Sequence, residues 1–218
     1  MLLQNGERIV FTGDSITDCG RKRPVGQGLW EGVGTGYVRQ FDTLINLLYP
    51  ENTYHIMNTG WSGNTSRDLL ARFDNDVMAL SPDWVFMMIG ANDVWRLFDE
   101  PGMVSTHIGL AEYTQNVAEM VKKVLDAGKK IVCISPYYIE GNKQDPMRIK
   151  MDEYALAMRR VCEANGVPYI DVQSVFDEYL RHRHPCYLSW DHVHPGPIGA
   201  MIIAKTILTF LGVDRPLY

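Results

Sequence analysis

The 218-residue sequence predicts an α/β fold, a three-layer α/β/α sandwich on a five-stranded parallel sheet. Three observations carry that expectation. Five apolar runs, near residues 7–12, 54–58, 84–89, 130–135 and 167–171, are apolar at consecutive positions, as strands buried on both faces are. Helical patterns separate these runs, and regular strand–helix alternation implies a parallel sheet. No internal repeat, low-complexity tract or linker divides the chain, so residues 1–218 are expected to form one domain.

The first strand, Arg8-Ile9-Val10-Phe11-Thr12, runs into Gly13-Asp14-Ser15. From Gly20 to Gly36 there are six glycines, with Pro24 and Trp30 and no regular period. Long loops without periodicity are uncommon in compact domains, so a substrate-side loop or an intersubunit contact is expected. A helical pattern at 37–48 precedes the short second strand, which ends in Asn58-Thr59-Gly60-Trp61-Ser62-Gly63-Asn64-Thr65. After a helical pattern at 66–79 comes the strand-like run Trp84-Val85-Phe86-Met87-Met88-Ile89, with Gly90-Ala91-Asn92-Asp93 at its carboxyl end.

The clearest helix has Tyr113, Val117, Met120, Val121, Val124 and Leu125 on one face and stops at Gly128. The fourth strand follows, then a helical pattern at 148–164 and the fifth strand. Ser174-x-x-Asp177 reads as a capping box opening another short helix. A last helical pattern covers 197–211, just after Asp191-His192-Val193-His194-Pro195.

Composition narrows the chemistry. A formal net charge of −5 argues against a nucleic-acid partner, and the cluster Arg21-Lys22-Arg23 is too short to overturn that. No run approaches membrane-spanning length, and Met1–Gly6 does not open a signal peptide, so no membrane partner is expected. Cys19, Cys133, Cys162 and Cys186 are widely spaced without a C-x-x-C pair, which fits reduced thiols in a cytoplasm. His182, His184, Asp191, His192 and His194 lie within thirteen residues, yet Arg181 and Arg183 repel a cation, so no metal is expected.

Ser15, Asp191 and His194 are candidate parts of a Ser-His-Asp machine. A serine hydroxyl attacks only when an imidazole takes its proton and an acid holds that imidazole in the right tautomer. Asp191 and His194 meet the second requirement within one loop. The bland alternatives are a strand-to-helix turn at 13–18 and a capped helix start at 191–197. His192 is kept outside the triad, and Asp14 is read as a carboxylate bonding local backbone. Ser15, Gly60 and Asn92 all follow strand ends, where parallel sheets form ligand crevices, so two backbone N–H groups and a carboxamide can meet as an oxyanion hole.

Four blocks in this order resemble the SGNH/GDSL hydrolases: Ser15 in Gly13-Asp14-Ser15, Gly60, Asn92 in Gly90-Ala91-Asn92-Asp93, and His194 in Asp191-His192-Val193-His194. The resemblance runs from residue 9 to about 205, with Ile16 where the family motif has leucine. It adds the flavodoxin-like strand order 2-1-3-4-5. Gly13-to-Arg21, Ser62-Gly63-Asn64-Thr65, Asn92-Asp93-Val94-Trp95-Arg96, Tyr138-Ile139-Glu140-Gly141-Asn142 with Asp145-Pro146-Met147-Arg148, and Trp190-Asp191 are similar to the family's bacterial acetylxylan esterases.

That resemblance implies a serine esterase deacetylating xylose-based oligosaccharides through an acyl-enzyme, with no cofactor and as a homo-oligomer. Short-chain aryl esterase, thioesterase and lysophospholipase activities are alternatives on the same scaffold. A nucleotide- or flavin-binding module is disfavoured because no G-x-G-x-x-G follows the first strand. Trp30, Trp61, Trp95, Tyr187 and Trp190 fall in or beside loops near the blocks, and aromatic faces can stack on sugar rings. Asn64, Trp95 and Trp190 are the expected substrate-binding residues. Arg96, like Asn64, could bond sugar hydroxyls or brace loops.

Overall fold

The computed structural model describes residues 1–26 and 31–216. Its strands are β1 (Arg8–Gly13), β2 (His55–Asn58), β3 (Trp84–Met88), β4 (Lys130–Ile134) and β5 (Tyr169–Ile170). All four pairings are parallel and the order is β2-β1-β3-β4-β5, as the family resemblance implied. β3 is buried along its whole length, which explains its unbroken apolar sequence.

The helices are α1 (Ser15–Asp18), α2 (Tyr37–Leu48), α3 (Ser66–Asp76), α4 (Ala91–Asp99), α5 (Leu110–Asp126), α6 (Pro146–Asn165), α7 (Val172–Leu180) and α8 (Pro197–Phe210). α2, α8 and α7 pack on one face of the sheet. α3, α5, α6 and α4 pack together on the other. Phe11 stacks on Phe86 across β1 and β3 at 5.0 Å, and Phe41 from α2 closes edge-on against Phe11 at 5.0 Å. Truncating Phe11 or Phe86 to alanine would cost about 3–5 kcal/mol. Among the described residues no helix is long and apolar enough to cross a membrane.

Local chemistry sets most boundaries. Thr65 and Asp68 form a reciprocal capping box that opens α3. Asp145 opens α6 by accepting from the N–H groups of Met147 and Arg148, and Gly166 in the left-handed region closes it. Two expectations need correction. α7 is capped by Asp171, whose Oδ1 accepts from Ser174 N–H at 3.0 Å, so Ser174 lies inside the helix and opens no capping box. Trp95, expected in or beside a loop, lies in α4; Ala91, Val94, Trp95 and Phe98 already carried the helical spacing.

Chain order also fixes where the loops meet. The first crossover leads from β1 outward to β2, and the next returns past β1 to β3. The sequence order therefore reverses beside β1, and the crevice at such a switch point lies off the carboxyl ends of the strands. Ser15 follows β1, the 59–65 loop follows β2, and Asn92 follows β3.

Candidate active site

β1 delivers its last residue into a space that only glycine can occupy. A Cβ on Gly13 would sit 2.1 Å from the Met88 carbonyl oxygen and 2.7 Å from Thr17 Oγ1. The chain then turns at once into α1. Asp14 caps that helix, its Oδ1 accepting from Ile16 N–H at 2.9 Å. Asp14 is the local backbone bonder that the sequence suggested, and burial pushes its carboxyl up to about 6.

Ser15 Oγ lies 2.7 Å from His194 Nε2, and His194 Nδ1 lies 2.6 Å from Asp191 Oδ2. The structure thus joins residues 179 positions apart into one hydrogen-bonded chain. Asp191 Oδ1 is fixed separately by Ser189 Oγ at 2.9 Å, Val193 N–H at 3.0 Å and His194 N–H at 2.8 Å. Burial alone would push its carboxyl up. The hydrogen bonds from His194, Val193 and Ser189 outweigh that and hold it below the usual carboxylate range.

His192 goes elsewhere. Its backbone is left-handed, its Nδ1 lies 3.3 Å from Glu140 Oε2, and its ring stacks on Tyr138 at 5.5 Å. The other clustered histidines also have separate partners: His182 lies 3.9 Å from Glu178, and His184 Nδ1 accepts from Cys186 N–H.

The Gly60 expectation is corrected by its surroundings. Its N–H donates to Asn58 Oδ1 at 2.8 Å, and its carbonyl accepts from Arg21 Nε at 2.8 Å. A Cβ there would meet Asp18 N at 2.3 Å, so Gly60 is a glycine because α1 crosses it closely. With its N–H committed to Asn58, Gly60 has no donor to offer an oxyanion. Gly63, in the same loop, has no hydrogen-bond partner on its N–H among the described residues. It precedes Asn64, whose carbonyl accepts from Asn92 Nδ2 at 2.9 Å. The signal for Gly63 was present in Ser62-Gly63-Asn64-Thr65, just before a helix cap.

Asn64 is likewise corrected from substrate binder to brace. Its Oδ1 accepts from Arg72 Nε at 2.6 Å while its carbonyl holds Asn92. Beside Asn92, Asp93 is fully buried and takes both the N–H and the hydroxyl of Ser66. Asn116 Nδ2 in turn donates to Ser66 Oγ at 3.0 Å. Burial pushes the Asp93 carboxyl up to about 7, opposed by the bonds from Ser66.

Two of the named tryptophans flank His194. The Trp95 ring lies 5.6 Å from the imidazole, tilted by 58°. Trp190 is 86% exposed and, with half-exposed Tyr187, borders a depression of about 430 Å³ that reaches His194 and Pro195. Arg96 pairs with Asp99 and lies over Trp95, so it braces α4. Trp61 is partly exposed with Arg23 over its ring at 4.4 Å. Trp30, and with it part of the Gly20–Gly36 segment, lies outside the described residues.

The serine, histidine and aspartate blocks thus meet in one crevice, and the model of the GDSL-like lipase/acylhydrolase family matches residues 11–202. The chain belongs to that family. It is 44% identical over 214 residues to an acetylxylan esterase from Geobacillus stearothermophilus, covering 98% of each chain. The crystal structure of that organism's acetylxylan esterase Axe2 superposes with a TM-score of 0.96 at 44% identity, over 99% of this chain and 98% of that one. LAE5, an alpha/beta hydrolase from the metagenome of Lake Arreo, Spain, is similar at a TM-score of 0.95 and 43% identity, over 100% and 99% of the two chains. Catalytic mutants of Axe2 have a serine, a histidine or an aspartate replaced by alanine.

Proposed function

We propose that this GDSL-family chain is a serine esterase that removes acetyl groups from xylose-based oligosaccharides. The observation that carries the reading is the chain Ser15 Oγ–His194 Nε2–Nδ1–Asp191 Oδ2, with contacts of 2.7 and 2.6 Å. Ser15 Oγ attacks the acetyl carbonyl carbon as His194 Nε2 takes its proton, and Asp191 stabilises the imidazolium. The carbonyl oxygen gains the negative charge and is met by the N–H groups of Ser15 and Gly63 and by Asn92 Nδ2. When the tetrahedral intermediate collapses, the C–O bond to the sugar breaks and His194 returns the proton to the leaving hydroxyl. Water then attacks the acyl-enzyme with the same base, releasing acetate and free Ser15.

Substrate choice is supported by the similarity to an acetylxylan esterase and by the aromatic shelf. The leaving alcohol must reach His194, and the depression bordered by Trp190 and Tyr187 that reaches His194 supports that side for the saccharide. Trp95 stands beside the imidazole, its ring centroid 5.6 Å away. The reading treats residues 1–218 as one domain, supported by the single sheet, and places the protein in the cytoplasm as a homo-oligomer. The wide spacing of the four cysteines, without a C-x-x-C pair, supports the compartment, and the glycine-rich 20–36 sequence that follows Ser15 is the candidate intersubunit contact.

The test is product mass on acetylated xylo-oligosaccharides, alongside p-nitrophenyl acetate and octanoate. Stepwise loss of acetyl groups, absent in Ser15→Ala, is the expected result. Faster turnover of octanoate than acetate would move the reading to a lipid-directed acylhydrolase, and undiminished turnover in Ser15→Ala would remove the serine mechanism altogether.

A further inference from the structure

The three proposed oxyanion donors arise from loops after three different strands, and hydrogen bonds within each loop do not set their mutual spacing. A guanidinium carries five N–H donors in a rigid plane, which suits it to tie several acceptors into one geometry. On α3, Arg72 Nη2 donates to the Gly13 carbonyl at 3.0 Å. Its Nη1 donates to the Thr59 carbonyl at 2.8 Å and to Asp76 Oδ2 at 3.1 Å, and its Nε donates to Asn64 Oδ1 at 2.6 Å. Asp76, one turn along the same helix, holds the plane in orientation.

Each contact leads to a donor. Gly13 is the residue before the Asp14–Ser15 peptide that carries the Ser15 N–H. Thr59 and Asn64 bracket the segment containing Gly63, and the Asn64 carbonyl accepts from Asn92 Nδ2 at 2.9 Å. One side chain therefore joins the β1 and β2 loops, beside the Trp61 N–H that donates to the same Gly13 carbonyl at 3.0 Å, and reaches the β3 loop through Asn64. Arg72 is only 15% exposed and four of its bonds go to protein atoms, so it is not arranged to grip a substrate.

We infer that Arg72 is the positioning residue of the oxyanion hole, acting through Gly13, Thr59 and Asn64 on the donors that meet the developing charge. The inference rests on the serine-esterase reading. It adds that transition-state geometry depends on a group outside the Ser-His-Asp chain. Lysine keeps the charge at this position but concentrates its donors at one point, so it cannot reach Gly13, Thr59 and Asn64 together.

The test compares wild type with Arg72→Lys, Arg72→Ala and Asn64→Ala. It measures kcat and KM on p-nitrophenyl acetate, the melting temperature, and the rate at which an organophosphonate labels Ser15. Displacing reacting groups by about an ångström costs on the order of 10²-fold. Both Arg72 variants should therefore lose roughly that factor in kcat, with KM changed less than about threefold, as for an interaction felt mainly in the transition state. Phosphonate labelling should slow in step, since that adduct also needs the oxyanion donors. Asn64→Ala, which removes the Nε contact, should lose a smaller factor. Guanidinium ion at sub-denaturing concentration should restore part of the Arg72→Ala rate, which a merely structural role would not predict.

If Arg72→Ala does not fold, Arg72→Lys and Asn64→Ala carry the test. Wild-type kcat in folded Arg72→Lys, or a loss confined to KM or melting temperature, overturns the clamp and leaves the esterase intact. Hydrolysis that survives Ser15→Ala overturns the esterase reading itself, so the two failures are distinct.

Discussion

Replacing Asp191 by asparagine should disable the site while leaving the fold almost untouched, and the hydrogen bonds around its carboxyl say why. Oδ1 accepts from three donors, Ser189 Oγ, Val193 N–H and His194 N–H, whereas Oδ2 alone faces His194 Nδ1 at 2.6 Å. An asparagine at 191 keeps its carbonyl oxygen among those three donors, because a flipped amide would set an NH₂ group against the Val193 and His194 N–H groups. The NH₂ then faces His194 Nδ1 and requires a lone pair there. The imidazole proton moves to Nε2, where it points at Ser15 Oγ, and the ring can no longer accept the serine proton.

A wrong tautomer of this kind costs about 10⁴ in kcat, or ~5.5 kcal/mol in the barrier. Asp191→Ala is the control. It strips the acceptor from three donors at about 1 kcal/mol each, so it should lower stability as well as activity. The assay is kcat on p-nitrophenyl acetate beside urea denaturation of both variants. An asparagine variant within tenfold of wild-type turnover would refute the tautomer argument. A stability loss in Asp191→Asn as large as in Asp191→Ala would refute the orientation assigned to the amide.

His194→Ala should abolish turnover, whereas His192→Ala should keep most of it, because His192 contacts Glu140 and Tyr138 and not Ser15. Parallel kinetics of the two variants check this, and a reversed ranking would overturn the triad. Trp190→Ala should lower kcat/KM on acetylated xylo-oligosaccharides roughly three- to tenfold more than on p-nitrophenyl acetate, since only the saccharide has a remote part to stack. Equal losses on both substrates would mean that Trp190 merely supports Asp191. Stability should fall as pH rises from about 4 to about 7. Burial raises Asp14 to about 6 and Asp93 to about 7 from 3.8 unfolded, so the folded chain holds protons there that the unfolded chain has released. Their stabilising contribution is complete below 3.8 and lost as pH climbs through those folded values. Carboxylates held low, such as Asp191 and Asp177, act in the opposite sense but below this window. Urea midpoints at pH 5.5 and 7.5 measure the slope, and an Asp93→Asn variant with an unaltered slope would exclude Asp93 as its source.

Strand positions, helix spacing and the Asp191–His194 pair were legible in the sequence because each is set by residues within a few positions of one another. Unbroken apolar runs mark strands buried on both faces, and a carboxylate three residues before a histidine can meet it within one loop. The sequence also brought Ser15 and Asn92 to one edge of the sheet, since a parallel sheet aligns the carboxyl ends of its strands. It could not separate Gly60 from Gly63. Both are glycines in one loop, and what distinguishes them is that α1 packs against Gly60 while Asn58 takes its N–H. Asn64 was open for the same reason: its partner Arg72 lies two helical turns away, and whether that guanidinium points to the loop or to water depends on how α3 docks beside β1. Local chemistry fixes which groups are present, but the direction of an N–H or the partner of a carboxamide follows from the packing of segments distant in the chain, and that was settled only by the tertiary structure.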